Sequence, residues 1–121
     1  MKTLITLLVL LMIGLIGCSS KDYTISADDA LELIENDNTI LLDVRTIAEY
    51  EDGHIEGAVL FPLNNLKSSI ESAAPDKSTN IIVYCRSGNR SADAIDILVN
   101  LGYTNVHDLG GIIDWPYDVV T

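Results

Sequence analysis

Residues 81–91 read IIVYCRSGNRS: four apolar residues in a row, a cysteine, then a short polar loop holding two arginines and a glycine. Ile81, Ile82, Val83 and Tyr84 show no polar–apolar alternation, the pattern of a strand covered on both faces, as in a parallel sheet. The segment that follows, Asn89–Asn100, sets Ala92, Ile95, Leu98 and Val99 on one helical face. Asn89, Asp93, Asp96 and Asn100 lie on the other, and Gly102 ends the helix. A buried strand that enters a helix through the loop Cys85 to Arg90 is the repeating unit of an α/β domain.

The same pattern extends to either side. Ile40-Leu41-Leu42 is a second continuous apolar run, ending at Asp43; Ala58 to Phe61 reads as a strand stopped by Pro62, and residues 105–109 as another. Between the strands, Ser26 with Asp29 caps a helix whose inner face is Ala27, Ala30, Leu31 and Ile34. Thr46 and Glu49 form a capping box that opens a helix to about Asp52. Residues 65–73 are expected to be helical, as are residues 112–119, which would bury Trp115. In open α/β sheets ligands bind beyond the carboxyl ends of the strands. Asp43 and Cys85 both stand at such ends.

The loop's chemistry follows from its composition. A compact turn there aims successive backbone N–H groups inward, and the helix adds its positive end. Gly88 permits the tight backbone path. Such surroundings favour thiolate over thiol at Cys85, and two guanidinium groups favour it further, giving a nucleophile inside an anion cradle. A cysteine at a strand end also serves as core packing, and an arginine at a helix start also meets solvent. The two arginines and the glycine close behind Cys85 favour the reactive reading. Asp43 and Arg45 either steer an anion or make structural bonds, Asp43 to amides and Arg45 to an acid; the structural role is preferred. The two histidines and lone loop cysteine give no metal-ligand spacing, and no phosphate-loop or dinucleotide fingerprint occurs.

Eighteen acids against seven bases, a net charge of −11 in 121 residues, describe one domain whose surface repels nucleic acid and anionic headgroups. The amino terminus differs: Lys2 is followed by an uncharged apolar run over residues 3–17, shorter than the roughly 20 residues a membrane span needs. This is the layout of a secretory signal over residues 1–17. Its end, Leu15-Ile16-Gly17-Cys18, resembles the lipobox of bacterial lipoproteins. That resemblance implies cleavage before Cys18, lipid on its thiol, and residues 18–22 as a tether. Residues 23–121 would then form an extracytoplasmic domain anchored to a bacterial membrane. More than one acyl chain is needed for stable attachment. Cys85 would be the one remaining thiol, so no disulfide staples the domain.

Three stretches in order carry a wider resemblance: LLDVRTIAEYEDGHIEGAV (residues 41–59), CRSGNRS (85–91) and LGGIIDW (109–115). They are similar to the signatures of rhodanese-like domains, and the likeness spans about residues 23 to 120. It implies a mostly parallel, five-stranded sheet with helices on both faces. It further implies a sulfurtransferase in which Cys85 takes a sulfane sulfur from thiosulfate or a related small anionic donor. The sulfur would pass from the Cys85 persulfide to cyanide, a thiol or a protein acceptor, with no cofactor or metal and with the chain a monomer. The loop amides of Arg86, Ser87, Gly88, Asn89 and Arg90 would hold the persulfide's charge. Arg86 would face the incoming anion, Arg90 would brace the loop against a carboxylate, and His54 would sit in a structural turn. The alternatives are a sulfur-carrying or binding module without turnover, and a phosphatase or arsenate reductase. The latter enzymes of this fold use C-x5-R, one residue longer than the C-x4-R of Cys85 to Arg90. Ile47 departs from the family, where proline is common; proline would only preset the first helical turn.

Overall fold

Ile81, Ile82, Val83 and Tyr84 are each fully buried at the centre of β3 (Asn80–Cys85). The computed structural model describes residues 21–36 and 38–121, so the expected signal peptide, lipidation site at Cys18 and most of the expected tether lie outside the described residues. Around β3 stand α1 (Ala27–Glu35), β1 (Thr39–Asp43), α2 (Ile47–Asp52), β2 (Val59–Leu60), α3 (Leu63–Ala73), α4 (Asn89–Asn100) and β4 (Val106–Gly111). The strands run parallel in the order β2-β1-β3-β4. Among the described residues there are four strands where five were expected. Thr24 adds only a single parallel bridge to Asp108 beyond β4, because residues 23–25 turn into the Ser26 cap of α1 before a ladder can form.

The pleat sorts the side chains into two cores. Leu42, Val44, Ile81, Val83 and Cys85 face α3 and α4, which bring Leu66, Ile70, Ala94, Ile95 and Leu98. Leu41, Ile82 and Tyr84 face the other way, toward Ala30 of α1, with Tyr50, Ile55 and Trp115 closing that side. Helices therefore cover both faces, as an all-parallel sheet requires.

Local chemistry sets the element ends. Ser26 accepts the Asp29 amide, and Thr46 and Glu49 form a complete capping box. The third helix starts at Leu63, two residues before the expected 65, because Pro62 leads directly into it and Leu63, Leu66 and Ile70 already share one apolar stripe. In α4 the buried positions are Ser91, Ala94, Ile95 and Leu98; Ala92 and Val99, expected to be inside, are exposed. The closing helix over 112–119 does not form. A 3-10 turn, Ile112–Asp114, is followed by an extended Trp115, since Pro116 disfavours helical geometry in the residue before it and cannot donate an N–H. Trp115 is half-buried, and Val120 pairs with His54 as an antiparallel bridge. Strand β4 outruns its expected end because a bulge opposite Val83 and Tyr84 takes up Leu109 and brings Gly111 beside Cys85. Among the described residues no helix is long and apolar enough to cross a membrane.

Candidate active site

After β1 the chain adds β2 on one side, then crosses to place β3 and β4 on the other. The order thus reverses between β1 and β3, and the crevice beyond their carboxyl ends is where an open parallel sheet binds ligands. Cys85 is the last residue of β3, at that carboxyl end, and is 1 % exposed. Its Sγ accepts the Gly88 amide at 3.0 Å and the Ser91 amide at 3.3 Å.

Gly88 makes this turn possible. With φ of +108° it sits in the left-handed region that side chains avoid, and it serves as N-cap of α4. Gly111 makes it compact. A Cβ there would lie 2.8 Å from Ser87 Cα and 2.9 Å from the Arg86 carbonyl carbon, both unyielding backbone atoms, so alanine would push the loop outward. The Ile113 amide, donating to the Arg86 carbonyl at 3.3 Å, fixes the loop from the same side.

Burial, the largest single influence, pushes the Cys85 thiol up. The Ser91 amide and hydroxyl, with the amides of Gly88 and Ser87, outweigh it together and hold the thiol below its ordinary value. Ser91 was missing from the expected sulfur-binding set, which ended at Arg90. Its signal was its place in the first turn of α4, where free N–H groups converge. In the resting site its hydroxyl donates to the Gly88 carbonyl at 3.0 Å, and a turn of that rotor carries it to the sulfur. In Ser91→Ala the amide donor survives and the hydroxyl is lost. The pH midpoint of Cys85 alkylation by iodoacetamide should therefore move upward, with the folded content unchanged; an unmoved midpoint would show that the hydroxyl does not act on the sulfur.

The two arginines divide. Arg90 turns from the sulfur to Glu49, bonding Oε1 through Nη1 at 2.8 Å and Oε2 through Nη2 at 3.0 Å. Glu49 still accepts the Thr46 amide at 3.3 Å, so one carboxylate caps α2 and braces the loop. Arg90, helped by the Thr46 amide and hydroxyl that Glu49 also accepts, pulls the Glu49 carboxyl down to about 2 from 4.5, against the opposing effect of burial. Since the folded value is the lower one, this stabilisation is complete above about pH 4.5 and drains away as pH falls toward 2. Solvent screening of this partly exposed pair limits it to about 1–2 kcal/mol. Unfolding free energies of wild type and Glu49→Gln, from urea titrations, should differ by that amount at neutral pH and converge near pH 2; a constant gap would place the difference elsewhere. Arg86 is exposed, and its guanidinium makes no hydrogen bond or ion pair among the described residues. The side chains of Ser87 and Asn89 are also exposed.

Asp43 and Arg45 do not join this cluster. Asp43 shares its sheet face with Tyr84, on the side away from Cys85, and both are fully buried. Its carboxylate takes Arg45 Nη2 at 2.7 Å, Nε at 3.0 and 3.1 Å, and the Arg45 amide at 2.9 Å. The carboxylate expected for Arg45 is therefore Asp43 itself. Arg45 Nη2 also donates to the Gly53 carbonyl, tying the 53–58 turn to β1. His54 stacks on Tyr50 at 3.7 Å, places Nδ1 2.9 Å from the Tyr50 carbonyl oxygen, and stands in that turn rather than at the sulfur. No group of three or more metal-ligating side chains comes together among the described residues.

The sequence profile of the rhodanese-like domain matches residues 26–116. The chain is 41 % identical over 73 residues to thiosulfate sulfurtransferase PspE of Escherichia coli (strain K12), a match spanning 60 % of this chain and 70 % of that one. It is 32 % identical over 102 residues to tRNA uridine(34) hydroxylase of Yersinia enterocolitica, where it covers 80 % of this chain but only 29 % of the relative. Among solved structures, a rhodanese from E. coli with bound anions superposes with a TM-score of 0.65 at 37 % identity, over 69 % of this chain and 98 % of that one. A thiosulfate sulfurtransferase from Pseudomonas aeruginosa gives 0.75 at 27 % identity, over 82 % of this chain and 20 % of that one.

Proposed function

Because the chain belongs to the rhodanese-like domain family, we propose that it is a sulfurtransferase that carries a sulfane sulfur on Cys85. The observation that carries this reading is the sulfur at the carboxyl end of β3, gripped by two amides and held below its ordinary pKa. With thiosulfate, the Cys85 thiolate attacks the outer sulfur, the S–S bond of the donor breaks, and its electron pair leaves with sulfite. The persulfide keeps one negative charge, for which the amides of Gly88 and Ser91 are already aimed. An acceptor thiolate or cyanide then takes the outer sulfur, and the electron pair of that bond returns to Cys85. Arg86, the unpaired cation at the mouth, draws the donor's sulfonate group. The short loop, Cys85 to Arg90, suits one sulfur atom rather than a tetrahedral oxyanion.

Intact-mass spectrometry before and after thiosulfate, without reductant, tests the proposal. A gain of one sulfur atom that maps to Cys85 and is removed by cyanide or a small thiol supports turnover. An adduct that neither acceptor removes makes the protein a carrier. No adduct from thiosulfate or polysulfide, with Cys85 still open to alkylation, refutes both. The sequence Leu15-Ile16-Gly17-Cys18 supports a lipid anchor outside the cytoplasm. Metabolic labelling with an alkynyl fatty acid should mark the parent chain and not Cys18→Ser.

A further inference from the structure

A cleft of about 390 Å³ opens between α1 and the carboxy-terminal segment, away from the cysteine. Its floor is apolar: Leu31 and Ile34 from α1, Ile55 from the 53–58 turn, and Trp115. Glu35, Glu56 and Asp118 stand at its rim, one from each of three separate segments. All three are exposed, and their carboxylates make no ion pair or hydrogen bond among the described residues. No lysine or arginine lines the cleft. Its far wall is held in shape, since Tyr117 packs edge-on against Trp115 at 5.0 Å and donates its hydroxyl to the Asp28 carboxylate. The indole N–H of Trp115 is buried and finds no acceptor among the described residues.

We propose that this cleft docks a short basic segment of a partner protein, with one aliphatic or aromatic side chain seated over Ile34, Ile55 and Trp115. Lysine or arginine side chains on either side of that anchor would meet Glu35, Glu56 and Asp118. The charge complementarity selects the occupant. A second copy of this chain, at −11, and an anionic membrane surface are both repelled. Three carboxylates on three segments call for several cations at separate points, which a peptide chain supplies and a single small amine does not. The cleft also communicates with the cysteine loop, because the turn that leads into Trp115 bonds the Arg86 carbonyl through Ile113. A partner seated here would stand one short turn of chain from the crevice.

Trp115 is the one tryptophan in the chain, so its fluorescence reports on the cleft directly and independently of any sulfur chemistry. The full chain would be titrated with acetyl-Lys-Leu-Phe-Lys-Leu-Arg-amide and with the same peptide carrying glutamate at every basic position. We expect a saturable emission shift with the basic peptide only. Affinity should fall about tenfold in Glu35→Gln/Glu56→Gln/Asp118→Asn, as the loss of three exposed charge pairs predicts. It should stay within about twofold in Glu51→Gln/Asp93→Asn/Asp96→Asn, which changes the net charge equally at exposed positions outside the cleft. Equal weakening by both variants would reduce the effect to overall charge and overturn the proposal. So would equal binding of the acidic peptide, or no saturable shift. Butyltrimethylammonium binding as tightly as the basic peptide would make the site one for small cations and overturn the assignment to a protein.

Discussion

Asp43→Ala should cost about 3–5 kcal/mol of folding stability, the largest loss expected from any single side chain named here. Asp43 is fully buried, and Arg45, 5 % exposed, depends on it for most of its hydrogen bonds. Burial works against the Arg45 charge, and the adjacent carboxylate outweighs it and keeps the guanidinium protonated. Without Asp43 a full positive charge remains in the interior, with the Gly53 carbonyl as its acceptor. A protein of this size has roughly 5–15 kcal/mol in total, so the variant should be poorly folded at physiological temperature. Urea unfolding measures the loss. The double variant Asp43→Leu/Arg45→Met should recover most of it, because removing both charges also removes the desolvation cost. A single-variant loss below about 1 kcal/mol would mean that the pair is not what holds this end of β1.

Cys85→Ser should behave in the opposite way, with sulfur transfer from thiosulfate to cyanide falling to background while the unfolding free energy changes by less than about 1 kcal/mol. A serine oxygen fits the same amides, Gly88 and Ser91, so the loop keeps its donors satisfied. A hydroxyl, however, does not ionise under the conditions that release a thiolate, and it cannot hold a displaceable sulfur. Transfer that survived the substitution would move the chemistry to another residue. Together the two variants separate the buried pair on one sheet face, which maintains the fold, from the sulfur on the other.

Much of this division was legible in the residues. The apolar run of β3, the Ser26 cap and the Thr46–Glu49 capping box, and the placement of Asp43 and Cys85 at strand ends all follow from local pattern, which the fold only has to accommodate. What escaped depends on contacts distant in sequence. Glu49 reads as a capping acid, and nothing local tells that it also holds Arg90, 41 positions away. Period alone puts Ala92 and Val99 inside α4. The helix is instead rotated to bring Ser91 under the sulfur, a demand made by the loop and not by hydrophobicity. Trp115 looks helical until Pro116 is given its due, and the bulge after Val83 leaves no mark except a pair of glycines. Both arginine charges were expected near Cys85, with Arg90 bracing the loop against a carboxylate, and Arg90 does so on Glu49. What offsets burial at the sulfur is the Ser91 amide and hydroxyl with the amides of Gly88 and Ser87.

That reliance on backbone has a consequence for how such a site can diverge. The N–H groups around Cys85 belong to the path of the main chain, and they persist whatever side chains Arg86, Ser87 and Asn89 carry outward into solvent. On the proposed reading, a lineage can exchange those three residues, and with them the groups that meet a donor or recipient, while inheriting the sulfur's surroundings intact. The outward side chains are then a removable facing on a fixed electrostatic mount, anchored by Gly88 and Gly111.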